Sequence, residues 1–136
     1  ALKLSEGKQS VLEGVPQGLP ALIKAQRMQE KAAGVGFDWN TKEQVWNKYM
    51  EELVELDQAM IQGDSEAIEA EFGDVLFSLI NYARFLKINP ESALERTNQK
   101  FIQRFQFIES QAKEQGSSIE KLSLDEMEAL WQQAKN

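Results

Sequence analysis

Residues 48–81, KYMEELVELDQAMIQGDSEAIEAEFGDVLFSLIN, constrain this chain more than any other stretch. They carry two acidic clusters, Glu51-Glu52-x-x-Glu55 and Glu71-x-x-Asp74, separated by a short break at Gly63-Asp64. Both clusters lie in helical patterns, and residues three or four apart on a helix share a face. Glu52 and Glu55 therefore project together from one helix, and Glu71 and Asp74 from the next. A hairpin of the two helices brings four carboxylates to one place.

The second cluster is set among Phe72, Val75, Leu76, Phe77, Leu79 and Ile80, a run expected to be largely buried. Carboxylates near a core are costly unless they are paired or hold a metal. An all-oxygen donor set suits Mg²⁺, with Mn²⁺ as a substitute. The plain alternative is ordinary solvated glutamates on amphipathic helices, since Glu is a good helix former and common on surfaces.

Composition removes several chemistries. The 136-residue chain is of ordinary single-domain size and has a net charge of −7, which argues against nucleic acid as the main partner. It has no cysteine, which fits a reducing compartment and a cytoplasmic location. It also has no histidine, which excludes Ser-His-Asp and Cys-His machinery and imidazole zinc sites. Di-iron bundles built on Glu-x-x-His are excluded with them. No apolar run is long enough to span a membrane, and no signal peptide opens the chain.

The spacing of caps and apolar residues predicts an all-α fold of about five helices, with no stretch alternating as a strand does. Residues 1–18, punctuated by Gly7, Gly14 and Gly18, read as a linker or N-terminal arm before a domain over 19–136. The first helix is expected from Leu19-Pro20 to about Ala33, ended by Gly34 and Gly36. Phe37 and Trp39 follow in a loop, either plugging the core edge or forming a stacking surface for a flat ligand. Thr41 and Gln44 form a capping box for a second helix to about Gln62, with Val45, Tyr49, Leu53, Leu56 and Met60 as its apolar stripe. Asp64 caps a third helix to about Lys87. On it, Ser78 and Asn81 continue the line of Asp74, as polar members of the site or as helix–helix hydrogen bonds.

Asn89-Pro90 opens a fourth helix to about Gln115, with Leu94, Phe101, Phe105 and Ile108 as its core side and Thr97, Lys100 and Arg104 on another stripe. Two cations four apart ordinarily mark a solvated face; beside a metal-loaded acidic cluster they would hold phosphate oxygens. Ser123 and Glu126 form a second capping box, opening a last helix through Trp131. A carboxylate-held metal flanked by Lys and Arg is a recurring arrangement for phosphate chemistry, with water attacking directly and a carboxylate orienting or deprotonating it. There is no P-loop and no G-x-G-x-x-G.

The paired signature E-E-x-x-E and E-x-x-D resembles that of the MazG-type all-α nucleoside triphosphate pyrophosphohydrolases. Leu19 to Leu22, Gln26 to Gln29, Val35 to Trp39, Glu71 to Phe77, Asn98-x-Lys100-Phe101-x-x-Arg104-Phe105 and Trp131 to Gln133 extend the resemblance across nearly the whole chain from about Val15. They look like the C-terminal half of a two-domain bacterial member. The resemblance implies Mg²⁺-dependent hydrolysis of a nucleoside triphosphate to monophosphate and pyrophosphate. It implies Glu52, Glu55, Glu71 and Asp74 as metal ligands, and Glu51 as a residue that orients water or helps hold a further ion. Lys48, Lys100 and Arg104 match triphosphate contacts, and Asn98 and Trp131 match positions near the nucleotide. It also implies a homodimer that completes the helical bundle.

Two departures stand out. The N-terminal domain copy of longer members is missing from this sequence, and Ala67 and Ala70 stand where a charged residue is common. The signature does not separate a base-tolerant enzyme from one dedicated to dUTP or dCTP. A helical dimerisation or regulatory module without turnover is the reading from outside the enzymes.

Overall fold

A computed structural model of the chain describes residues 10–136, which form five α-helices and two short 3-10 helices. Among the described residues there is no strand. They divide into two compact units, one running to Glu91 and one of Ser92–Asn136.

In the first unit, Ser10 caps a 3-10 helix at Val11–Gly14, its hydroxyl accepting from the Leu12 N–H at 3.1 Å. Val15 behind it is buried, so residues 10–15 of the expected arm pack on the unit. Residues 1–9 of that arm lie outside the described residues. Helix α1 spans Ala21–Gly34. Its start differs from the expectation at Leu19-Pro20, because Pro20 has an extended ψ of 144° and stands before the helix. Its carbonyl still accepts from the Lys24 N–H at 2.9 Å, opening the ladder.

Helix α2 spans Lys42–Gln62 behind the predicted capping box. The Gln44 N–H donates to the Thr41 hydroxyl at 3.2 Å, and Gln44 Oε1 accepts from the Thr41 N–H at 3.2 Å. Gly63, at φ 78°, ends it in the left-handed region that glycine adopts without strain. Asp64 then accepts from the Glu66 N–H and caps helix α3, Ser65–Phe85. A two-residue link of this kind folds α2 and α3 into an antiparallel hairpin. The register is visible where Trp46, near the start of α2, meets Tyr82, near the end of α3, at 5.0 Å between ring centroids. Val45 and Ala59 of α2 and Ser78 of α3 face inward, and α1 is pinned to α3 by Gln29 Nε2 donating to the Phe77 carbonyl at 3.0 Å.

The apolar run of α3 is less buried than its composition suggests. Phe72, Leu76, Phe77 and Leu79 are 44–55% exposed. Helix α3 is apolar around most of its circumference, and α1 and α2 cover only part of it. Met60, at the end of the predicted α2 stripe, is exposed for the same reason, and Ala59 takes the inward place beside it.

The second unit holds most of helix α4, Pro90–Glu114, a 3-10 turn at Ile119–Lys121, and helix α5, Leu124–Ala134. Asn89 caps α4 by accepting from the Glu91 N–H, and Ser123 with Glu126 forms the predicted box for α5. Of the expected α4 core side only Ile108 is buried, together with Ala112 and, on α5, Leu130. Leu94, Phe101 and Phe105 are exposed. Length explains the difference: at 1.5 Å per residue α4 runs about 37 Å and α5 about 16 Å, so α5 cannot cover it.

Among the described residues Val45 is the largest fully buried side chain. Val45→Ala should destabilise the first unit by about 2 kcal/mol through lost burial and a residual cavity. Urea denaturation followed by circular dichroism would measure it.

Candidate functional site

The hairpin register places the fourth turn of α2 against the second turn of α3. One carboxylate oxygen each from Glu52, Glu55 and Glu71 lie within 4.8 Å of one another. Glu52 is 6% exposed, Glu71 half-buried and Glu55 exposed. The group thus grades from the hairpin interior to solvent.

Its electrostatics are unbalanced. Lys48 Nζ lies 3.0 Å from Glu52 Oε1 and 3.7 Å from Glu51 Oε2, one turn apart on α2. Glu52 Oε2 and Glu71 Oε2 are buried with no hydrogen-bond partner. Contact with Glu52 raises the Lys48 ammonium above its ordinary value. Contact with Glu52, and then its charge, pushes the Glu55 carboxyl above the usual carboxylate range, with Glu71 adding to the effect. One ammonium cannot neutralise three carboxylates, and an unpartnered buried carboxylate oxygen costs free energy. A divalent cation would supply both the missing charge and the missing partners. The donor set is oxygen only, which fits a hard ion such as Mg²⁺ or Mn²⁺.

Three of the four residues predicted as ligands therefore meet. Asp74, one turn beyond Glu71 on α3, is exposed and lies outside the 4.8 Å group. The Glu51 side chain is 67% exposed on the Lys48 side of the cluster.

The remaining predicted contacts belong to the second unit. There Arg104 lies over the Trp131 ring at 5.5 Å, and Phe101 stands 5.7 Å from the same ring. Lys100 is exposed, and Asn98 Nδ2 donates to Glu95 Oε1 at 3.2 Å. Gln99 and Asn98 together hold the Glu95 carboxyl below its usual range.

One pairing escaped the sequence reading. Arg84 on α3 donates twice to Asp38 in the loop after α1, at 3.1 and 2.8 Å, and once to Asn81 at 2.7 Å. These residues line a cavity of about 520 Å³ with Gln29, Phe37, Trp39 and Phe77. Asp38 and Arg84 are 46 residues apart, and periodicity carries no signal for such a pair. Asn81, aligned in sequence with the acidic face, instead bonds along its own helix.

The family model of the MazG nucleotide pyrophosphohydrolase domain matches residues 40–107, half of the chain, including both acidic clusters. The chain belongs to the MazG family. A Thermotoga maritima protein named nucleoside triphosphate pyrophosphohydrolase/pyrophosphatase MazG is 44% identical over 117 residues, covering 86% of this chain and 45% of that protein. The nucleoside triphosphate pyrophosphohydrolase of Escherichia coli K12 is 38% identical over 137 residues, covering 98% and 51%. The uncharacterized protein YabN of Bacillus subtilis is 48% identical over 127 residues, covering 93% and 26%. The chain thus spans about half the length of the first two relatives and about a quarter of the third.

Adding Mg²⁺ or Mn²⁺ should stabilise this MazG chain by about 2.7 kcal/mol at a hundredfold excess over Kd, seen as a rise in melting temperature. Glu71→Ala should lose the rise while keeping its helical circular dichroism. Protons compete for the same oxygens, and Glu55 begins to protonate above its ordinary 4.5. The rise should therefore shrink as pH falls through the carboxylate range. A pH-independent rise would place the metal elsewhere.

Proposed function

We propose that the chain hydrolyses nucleoside triphosphates to nucleoside monophosphate and pyrophosphate, using Mg²⁺ held by the α2–α3 carboxylates and accepting several bases. The observation that carries this reading is the meeting of Glu52, Glu55 and Glu71, with two buried carboxylate oxygens left unpartnered. The relatives named for this activity support it.

Glu52, Glu55 and Glu71 would hold the ion, with Asp74 turning in from the next turn of α3 to complete the set. When bound, the ion would supply positive charge against the negative charge that develops as the phosphoanhydride bond breaks. Glu51 is the proposed water-orienting residue, its free carboxylate edge accepting the proton as the oxygen attacks phosphorus. Lys48 holds the acidic cluster together and would turn one N–H to the triphosphate. Lys100 and Arg104 are assigned to the phosphates, Asn98 and Trp131 to the nucleoside. With no cysteine or histidine in the chain, attack by water is favoured over a covalent intermediate.

We also propose a homodimer. Trp46, Met50, Val54 and Ile61 of α2 and Phe72, Leu76 and Leu79 of α3 are all more than 40% exposed. So much apolar area on one hairpin marks an interaction surface. A second copy covers it by the self-complementary route most common among oligomers. Among the described residues no helix is long and apolar enough to cross a membrane. The cysteine-free composition suits a reducing cytoplasm.

The test is a panel of ribo- and deoxyribonucleoside triphosphates with Mg²⁺, the products resolved by chromatography. Monophosphate and pyrophosphate from many bases are expected. Turnover of dUTP or dCTP alone, with other bases disfavoured by more than about a hundredfold, would replace the tolerant enzyme with a dedicated one. Absence of turnover would favour the regulatory module. Glu71→Ala and Asp74→Ala should each abolish turnover with the fold intact, and activity retained in either would remove that residue from the site. Light scattering should give twice the chain mass; the mass of one chain would overturn the dimer.

A further inference from the structure

Lys48 is poorly placed to stabilise its own helix. It precedes Glu52 by four residues, and the order Lys then Glu is the weaker of the two i,i+4 pairings. Its ammonium is nevertheless drawn to two carboxylates at once, 3.0 Å from Glu52 Oε1 and 3.7 Å from Glu51 Oε2. Glu52 is also one of the three residues whose carboxylate oxygens converge, and its second oxygen is buried without a partner. The ammonium therefore holds one oxygen of a carboxylate that a cation would need.

The two ends of this pair differ in freedom. The Glu52 side chain is 7% exposed, fixed in the hairpin interior, whereas the Lys48 side chain is 42% exposed. Lysine carries its charge on a flexible four-carbon stem, so the head can turn into water while the stem stays against the helix. A divalent ion held by Glu52, Glu55 and Glu71 would set two positive charges beside a third, in half-buried surroundings that screen charge weakly. The strain of that repulsion falls on the ammonium, because the carboxylate is held and the ammonium has somewhere to go.

We propose that Lys48 is an internal competitor of the cation: it neutralises Glu52 in the chain without metal, and a divalent ion must displace it from that carboxylate to bind. This rests on the metal-site reading above and adds what limits the strength of the site. The lysine stabilises the hairpin without metal and, for the same reason, weakens its hold on the ion. The opposite sign belongs to a lysine that presents Glu52 to the ion: removing such a residue loosens the site and lowers its affinity. A flexible ammonium suits the competing role because it pairs with one oxygen and lets go readily, whereas a guanidinium would fork across both oxygens.

The test titrates Mg²⁺ into the full chain by calorimetry and compares the unmodified protein with Lys48→Met, which keeps an apolar stem and removes the charge. Lys48→Met should bind Mg²⁺ roughly tenfold more tightly, while its melting temperature in EDTA falls by several degrees. Lys48→Arg keeps the charge and should gain no affinity. A second measurement uses the unmodified protein, so the proposal stands or falls even if Lys48→Met folds poorly. With acetic anhydride at fixed pH and the products mapped by mass spectrometry, Mg²⁺ should speed acetylation of Lys48 severalfold relative to the exposed Lys113. In Glu71→Ala, Mg²⁺ should leave the Lys48 rate unchanged. Equal or weaker Mg²⁺ affinity in Lys48→Met would overturn the competition, as would an acetylation rate in the unmodified protein that Mg²⁺ leaves unmoved or lowers. Either result leaves the metal site standing when Glu71→Ala loses the calorimetric signal. No binding of Mg²⁺ by the unmodified protein would remove the metal site and this inference with it.

Discussion

The burial of Glu52 beside Glu71 is the interaction on which the rest of the first unit depends. A glutamate 6% exposed, with one oxygen on Lys48 and the other on nothing, is a standing cost to the fold. It is tolerated because the hairpin is fixed by features outside the cluster. Two side-chain caps, a left-handed glycine and the Trp46–Tyr82 contact set the register without help from the acids. Small inward residues at Ala59 and Ser78 let α2 and α3 approach closely. The helices thus press three carboxylates together against their mutual repulsion, which a bound cation would relieve.

The same logic explains why the site sits on helices rather than loops. Carboxylates proposed as metal ligands would have to be held within about half an ångström of their places, and a capped helix holds a side chain better than a loop does. The loop after α1 has the complementary property. Its Phe37 N–H donates to the Ala32 carbonyl at the end of α1, and Arg84 adds a paired bond to Asp38 from α3. The cavity wall and the carboxylates Glu71 and Asp74 thereby share one rigid helix.

Much of this was legible in the sequence, for identifiable reasons. Capping boxes at Thr41 and Ser123 and the caps at Asp64 and Asn89 are local patterns, and each sits where it was expected. The facing of Glu52 and Glu55 follows from helical spacing, and their meeting with Glu71 from the brevity of the Gly63-Asp64 link. What escaped was non-local. Whether an apolar helix is covered depends on how many neighbours it has, so the exposure of Phe72 and Phe101 could not be read from their own segments. The Asp38–Arg84 pair joins residues with no common period. Pro20 fell on the wrong side of a helix start because only its ψ, not its identity, separates the cap from the first turn.

The exposed apolar faces and the unbalanced acids bear on each other. Phe72 and Leu76 flank Glu71 and Asp74 on α3, and both are about half exposed. A second copy covering that face would remove water from around the carboxylates. In the lower local dielectric their repulsion without a cation grows, and so does their attraction to one. Metal binding and association would then be thermodynamically coupled, each strengthening the other by the same factor. A hairpin with an apolar outer face and an under-neutralised acidic inner face is suited to such coupling. Neither feature is comfortable in an isolated, metal-free chain, and a second copy and a cation would relieve both.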